Sequence, residues 1–76
     1  MPRTIEKMNK INLKIGLKLK ALRKLKRMSS KELGKQIGVS FQQIQKYELG
    51  TSGITASRLF LIAQIFGKDL NYFVKS

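Results

Sequence analysis

The stretch from Ser29 to Gly50 restricts the fold more than any other part of this chain. It holds two short helical patterns separated only by Gly38-Val39-Ser40. Ser29 followed three residues later by Glu32 is a capping box, in which hydroxyl and carboxylate each satisfy an orphan amide at a helix start. A helix is therefore expected from about 30 to 37, with Leu33 and Ile37 four apart on its buried face. Gly38 stops it, because glycine readily takes the left-handed conformation that ends a helix. Ser40 caps the next helix, at about 41–48, with Ile44 and Tyr47 facing inward. So short a joint makes the second helix cross the first at a large angle. Leu33, Ile37, Val39, Ile44 and Tyr47 then bury a shared interior, and small Gly34 permits the close approach.

The flanking segments supply three more helices and no sheet. Residues 1–10 are polar, basic and only sporadically apolar, and are expected to form a flexible basic arm, leaving 11–76 as one domain. Ile11, Leu13, Ile15, Leu17 and Leu19 alternate as a strand would, yet Ile15, Leu19, Leu22 and the stem of Lys26 also fall at helical spacing. The Ala, Leu, Lys and Arg content favours helix over about 13–27, capped by Asn12. After the turn-rich Gly50-Thr51-Ser52-Gly53, Thr55 or Ser57 opens a fourth helix with an apolar stripe of Leu59, Ile62, Ala63 and Phe66. Gly67 ends it, and Asp69 caps a last turn carrying Leu70, Tyr72, Phe73 and Val74.

Composition narrows the chemistry. The chain of 76 residues has no His and no Cys, which removes the commonest general base, the commonest metal ligand and any thiolate nucleophile. Its carboxylates, Glu6, Glu32, Glu48 and Asp69, are scattered, so neither an acid/base pair nor a metal cluster is expected, and an enzyme is not. No cofactor or metal is expected. The net charge is +12, and residues 1–31 hold eleven of the sixteen Lys/Arg but only one acid, Glu6. Such asymmetry turns a basic face towards a polyanion. No apolar run approaches the ~18–20 residues of a membrane span, and Met1-Pro2-Arg3-Thr4 has no signal-peptide character, so a cytoplasmic protein is expected.

Two short helices around a tight joint are the helix-turn-helix geometry, which presents its second helix to a major groove. That helix exposes Phe41, Gln42, Gln43, Gln45 and Lys46, none of them acidic. Gln can bond bidentately to adenine, Lys can donate to guanine acceptors, and Phe can meet a thymine methyl.

Ile15-Gly16, Leu22-Arg23, Met28-Ser29, Glu32-Leu33-Gly34, Ile37-Gly38-Val39-Ser40, Ile44-Gln45-Lys46-Tyr47-Glu48 and Gly50 together resemble the Cro/phage-repressor-type, or XRE, helix-turn-helix family. Ala56-Ser57-Arg58-Leu59, Ile62-Ala63, Phe66-Gly67 and Tyr72-Phe73 continue the likeness, which covers about residues 11–74. It implies an all-α, compact five-helix lambda-repressor-like domain that dimerises on a palindromic operator. By position it implies that Phe41, Gln42 and Lys46 face base edges. Ser30, Lys31, Ser40, Gln43, Gln45, Thr51 and Ser52 would then meet the DNA backbone or groove wall. It implies an ion pair between Arg23 and Glu48. Ser30 stands where the family commonly has Gln, Ser52-Gly53 replaces a more usual Asn-Arg, and Arg27 stands where Gly is frequent. The phosphate-binding load is therefore expected to shift towards helix one and the arm.

The expected function is sequence-specific binding of double-stranded DNA by a homodimeric transcriptional regulator, a repressor by resemblance, with no membrane and no small-molecule ligand as partner. An antitoxin would share these features. LKIGLKLKALRKLK also suits an interfacial amphipathic helix, a reading that leaves the capped helices 30–48 unexplained. A nucleic-acid coat without sequence preference would need only the charge.

Overall fold

Serine, threonine and aspartate caps punctuate the chain, which is described over residues 2–75 by a computed structural model. Met1 and Ser76, the outer limits of the expected arm and domain, lie outside the described residues. Helix α1 spans Pro2–Leu25, α2 Ser30–Ile37, α3 Phe41–Leu49, α4 Ala56–Ile65 and α5 Leu70–Val74. Ser29 and Glu32 form the reciprocal capping box, with the Glu32 amide donating to Ser29 Oγ over 3.0 Å and the Ser29 amide to Glu32 Oε1 over 3.2 Å. Ser40, Thr55 and Asp69 cap α3, α4 and α5 in the same way, each accepting from the amide three residues on.

The helix ends share a mechanism too. After α1, α2, α3 and α4 the chain passes through one left-handed residue, and the amide beyond it reaches five residues back: Met28 to Arg23, Val39 to Gly34, Thr51 to Lys46 and Lys68 to Ala63. Three of these positions are Gly38, Gly50 and Gly67. The fourth is Arg27, at φ 54°, which accounts for a position where glycine would be usual.

The start of the chain corrects one expectation. In place of an arm at 1–10 and a helix from 13, α1 runs from Pro2, so Asn12 is an interior helical residue and not a cap. Proline's fixed φ suits the first helical position, and Met8 and Ile11 extend the stripe of Ile15, Leu19 and Leu22 with helical spacing. The alternation at 11–19 carries no strand. The helix also stops at Leu25, leaving Lys26 exposed. With 24 residues at 1.5 Å each, α1 is about 36 Å long, matching the longest dimension of the molecule, 36 Å.

All five helices feed one core. Ile15, Leu19 and Leu22 from α1 pack with Leu33 and Ile37, Ile44 and Tyr47, Leu59, Ile62, Ala63 and Phe66, and Phe73 of α5. Leu19, Leu33, Ile44, Ile62 and Phe73 are fully enclosed. Of the last-turn residues, Phe73 is buried and Tyr72 half-buried, whereas Leu70 and Val74 stay exposed. The core begins at Ile15, so Ile5, Met8 and Ile11 of α1 remain outside it.

Candidate nucleic-acid interface

Two close backbone approaches set the angle of α3. A Cβ at Gly34 would lie 2.5 Å from the Val39 carbonyl oxygen, so the missing side chain lets α2 fold against the joint that follows it. A Cβ at Gly16 would strike the Tyr47 carbonyl oxygen and come within 2.7 Å of that of Glu48. Helix α1 therefore crosses the end of α3 backbone to backbone. The first approach is local; the second joins residues more than thirty apart in sequence and had no signal in the spacing alone.

An ion pair pins the same crossing. Arg23 Nε donates to Glu48 Oε2 over 2.6 Å and Nη2 to Oε1 over 3.0 Å, while Nη1 reaches the Met28 carbonyl oxygen at 2.9 Å. The two side chains are only 13% and 6% exposed. The hydrogen bond to Glu48 holds the guanidinium above its ordinary pKa, against desolvation and with help from the carboxylate charge. For the DNA-facing surface, the consequence is electrostatic. Glu48 is the one acid of α3, and it is turned inward and neutralised.

The outward side of α3 carries Phe41, Gln42, Gln45 and Lys46, all exposed. Gln43, grouped with them by sequence, is half-buried, and its Nε2 donates to Ser52 Oγ over 3.0 Å. That bond ties the loop after α3 back to the helix. Thr51 Oγ1 donates to the Lys46 carbonyl oxygen at 3.3 Å and closes the helix end. Ser40 Oγ accepts from the Gln43 amide over 3.2 Å, so its hydroxyl is engaged in capping. Lys31 is exposed, and half-buried Ser30 opens α2.

Ser30 and Gln45 line a groove between α1, α2 and α3 together with Lys20, Lys24 and the Arg23–Glu48 pair. Lys20 and Lys24 are exposed and were not distinguishable in sequence from the other lysines of α1. Their four-residue spacing places both on one side of the helix, and only the packing on α3 identifies that side. The described residues contain no cluster of acids able to hold a metal, and none of the described helices is long and apolar enough to cross a membrane.

A tight capped pair of helices inside a five-helix bundle, with the second helix presented outward, defines a helix-turn-helix protein. The chain belongs to the Cro/phage-repressor-type (XRE) helix-turn-helix family: the helix-turn-helix family model matches residues 19–73. An HTH-type transcriptional regulator of Sinorhizobium medicae is 41% identical over 68 residues, which cover 90% of this chain and 49% of that protein. An HTH-type transcriptional regulator of Rickettsia conorii is 38% identical over 73 residues, 96% of this chain and 58% of the relative. The chain thus spans about half the length of the relatives it matches. Among solved structures, the P22 c2 repressor in complex with a synthetic operator superposes with a TM-score of 0.75 at 24% identity, over 80% of this chain and 92% of that one. The fold is the lambda-repressor-like five-helix bundle.

Proposed function

We propose that this domain binds double-stranded DNA sequence-specifically by laying α3 in the major groove, as a homodimeric transcriptional repressor on a palindromic operator. The observation that carries the reading is the surface of α3: Phe41, Gln42, Gln45 and Lys46 face outward while its one acid is locked against Arg23. Phe41, Gln42 and Lys46 read base edges. Gln45, Ser30, Lys31 and Thr51 border the phosphates, with Lys20 and Lys24 added to them. Ser40, Gln43 and Ser52 support the wall by holding α3 and its following loop in place. The similar P22 c2 repressor is a repressor–operator complex, which agrees with a duplex as partner.

Dimerisation is supported by a second surface. Phe60 and Leu61 of α4 and Leu70 and Val74 of α5 are large apolar side chains 39–51% exposed. A two-fold dimer contacts half-sites one helical turn apart, about 34–36 Å.

Selection from random duplexes tests the whole reading. Enrichment of a palindrome with half-sites about 10–10.5 bp apart is expected. Equal retention of all duplexes would instead make the protein a non-specific coat.

A further inference from the structure

The start of α1 projects past the core, and its residues are sorted by charge around the helix. At about 100° per residue, Thr4, Ile5, Ile11, Asn12 and Ile15 all fall within about 60° of Met8, and none of them is charged. Glu6, Lys7 and Lys10 lie about 100° or more from Met8. The uncharged face prolongs the line of Ile15, Leu19 and Leu22, which the rest of the domain covers. That cover stops at Asn12, which is half-buried with its carboxamide beside Gly53. Ile5, Met8 and Ile11 lie beyond it, 56%, 57% and 48% exposed.

A helical segment this short is marginal in water unless it packs one face. Apolar side chains scattered singly over a surface are ordinary, but three in one row at the open end of a core form a patch.

The spacing selects what covers it. Ile5 and Ile11 stand three residues either side of Met8, and Thr4 and Asn12 stand four either side. A row that reads alike in both directions is complementary to itself when reversed. Laid antiparallel about a two-fold axis at Met8, Ile5 of one copy comes level with Ile11 of the other, and Thr4 with Asn12. This is the isologous contact of a symmetric dimer. Charge permits it as well. A chain of net charge +12 repels its own copy on most approaches, but here Lys7 and Lys10 are turned to the flank and back of the pair. Thr4 and Asn12 favour a protein cover over a lipid one, because their polar groups can hydrogen-bond across a helix pair but not to acyl chains.

We propose that the projecting start of α1 pairs antiparallel with the same segment of a second copy, with Met8 on the two-fold axis. Each helix then covers the apolar row that the other leaves open. The contact uses none of Phe60, Leu61, Leu70 and Val74, so it is a second self-association surface beside the α4–α5 patch. It is also independent of how α3 meets DNA.

The chain contains no cysteine, so single cysteines introduced into the full-length protein report the contact. A disulfide needs Cα atoms within about 7 Å, so Met8→Cys should give at least about tenfold more linked dimer in glutathione buffer than Lys10→Cys. Mixed Ile5→Cys and Ile11→Cys proteins should form the heterodisulfide in preference to either homodisulfide. Higher salt should increase the Met8→Cys linkage by screening two cationic copies, whereas it weakens duplex binding. Met8→Glu should lower the sedimentation mass at equal concentration and leave the melting curve of the dilute protein unchanged, since Met8 lies outside the core. Equal linkage through positions 8 and 10, a preference for homodisulfides, or an unchanged mass for Met8→Glu would overturn the pair. None of these results would touch the role of α3, which selection from random duplexes tests separately. Binding of phosphatidylserine vesicles by the wild type but not by Met8→Glu, without preferential Met8→Cys linkage, would overturn the pair in favour of a lipid surface.

Discussion

Arg23 holds Glu48 with two parallel hydrogen bonds, joining the last turn of α3 to α1 in a nearly enclosed site. A fork-to-fork pair of this kind fixes orientation as well as charge, because the planar guanidinium accepts only one alignment of the carboxylate. The pair sits next to the Gly16 crossing, so one small region determines where α3 points. Removing one partner leaves the other buried without compensation, at a cost of about 3–5 kcal/mol. Glu48→Ala is therefore expected to lower Tm by more than about 10 °C, since each kcal/mol moves a domain of this size by about 4–8 °C. Glu6→Ala, on the exposed start of α1, should barely move it. Equal melting temperatures for the two variants would show that the pair contributes nothing.

Arg27 occupies the left-handed position that Gly38, Gly50 and Gly67 fill at the other helix ends. Its Cβ makes that conformation costly, although the surrounding hydrogen bonds enforce it. Arg27→Gly should raise stability by about 0.5–1 kcal/mol, the strain relieved exceeding the added freedom of the unfolded chain. Gly38→Ala, at φ 77°, should do the reverse by about 1 kcal/mol. Urea unfolding of the two variants checks both signs, and a destabilised Arg27→Gly protein would refute the strain.

Gly16→Ala is expected to be harmful for a different reason. The new methyl group meets backbone carbonyls of Tyr47 and Glu48, which cannot rotate aside as a side chain can. Overpacking costs about 1–3 kcal/mol, and the shift falls on the end of α3, so DNA affinity should drop together with Tm. Gly53→Ala is the control, because its methyl group would find only the Asn12 amide at 3.4 Å. If Gly16→Ala kept wild-type stability and binding, the crossing would be looser than its geometry indicates.

The parts of this fold legible in sequence are those with short-range causes. Ser29 with Glu32, and Ser40, Thr55 and Asp69, announce helix starts because capping chemistry is completed within three residues. The stripes of α2, α3 and α4 give their buried faces for the same reason. The start of α1 misled because residues 4–10 stay exposed, leaving no amphipathic contrast strong enough to outweigh the basic composition. Gly16 was invisible as a contact because its partners lie more than thirty residues away. Gln43 looked like a free member of the α3 surface until the loop folded back and placed Ser52 against it. Lys20 and Lys24 needed the packing of α1 on α3 to be told apart from Lys14 and Lys18.

That distinction is testable by salt. Lys20 and Lys24 border the groove with Ser30 and Gln45. Each phosphate contact contributes about 0.9 to the slope of log K against log salt on duplex DNA. Lys20→Gln and Lys24→Gln should each lower the slope by about one per half-site and weaken all sequences alike. A changed base preference in either variant would make that lysine a reader of bases.

Sequence preference is expected to rest on the exposed start of α3. Gln42 stands two residues beyond the Ser40 cap, and Lys46 lies four residues on, along the same edge of the helix. Both can then meet neighbouring base pairs of one half-site, Gln42 pairing with adenine N6 and N7 and Lys46 donating to guanine O6 and N7. Unlike Gln43, Gln42 is exposed and not tied to the loop by the Ser52 bond, so its replacement leaves the scaffold intact. Gln42→Ala should cost about 1–3 kcal/mol on the selected operator, relax one base position per half-site and leave affinity for unrelated DNA nearly unchanged. Lys46→Ala should lose both specificity and salt-dependent attraction, because the ammonium also faces the phosphate field. Repeating the selection with each variant separates these outcomes. An unchanged consensus and affinity for Gln42→Ala would remove it from the reading set, and equal silence from Lys46→Ala and Phe41→Ala would remove α3 from recognition altogether.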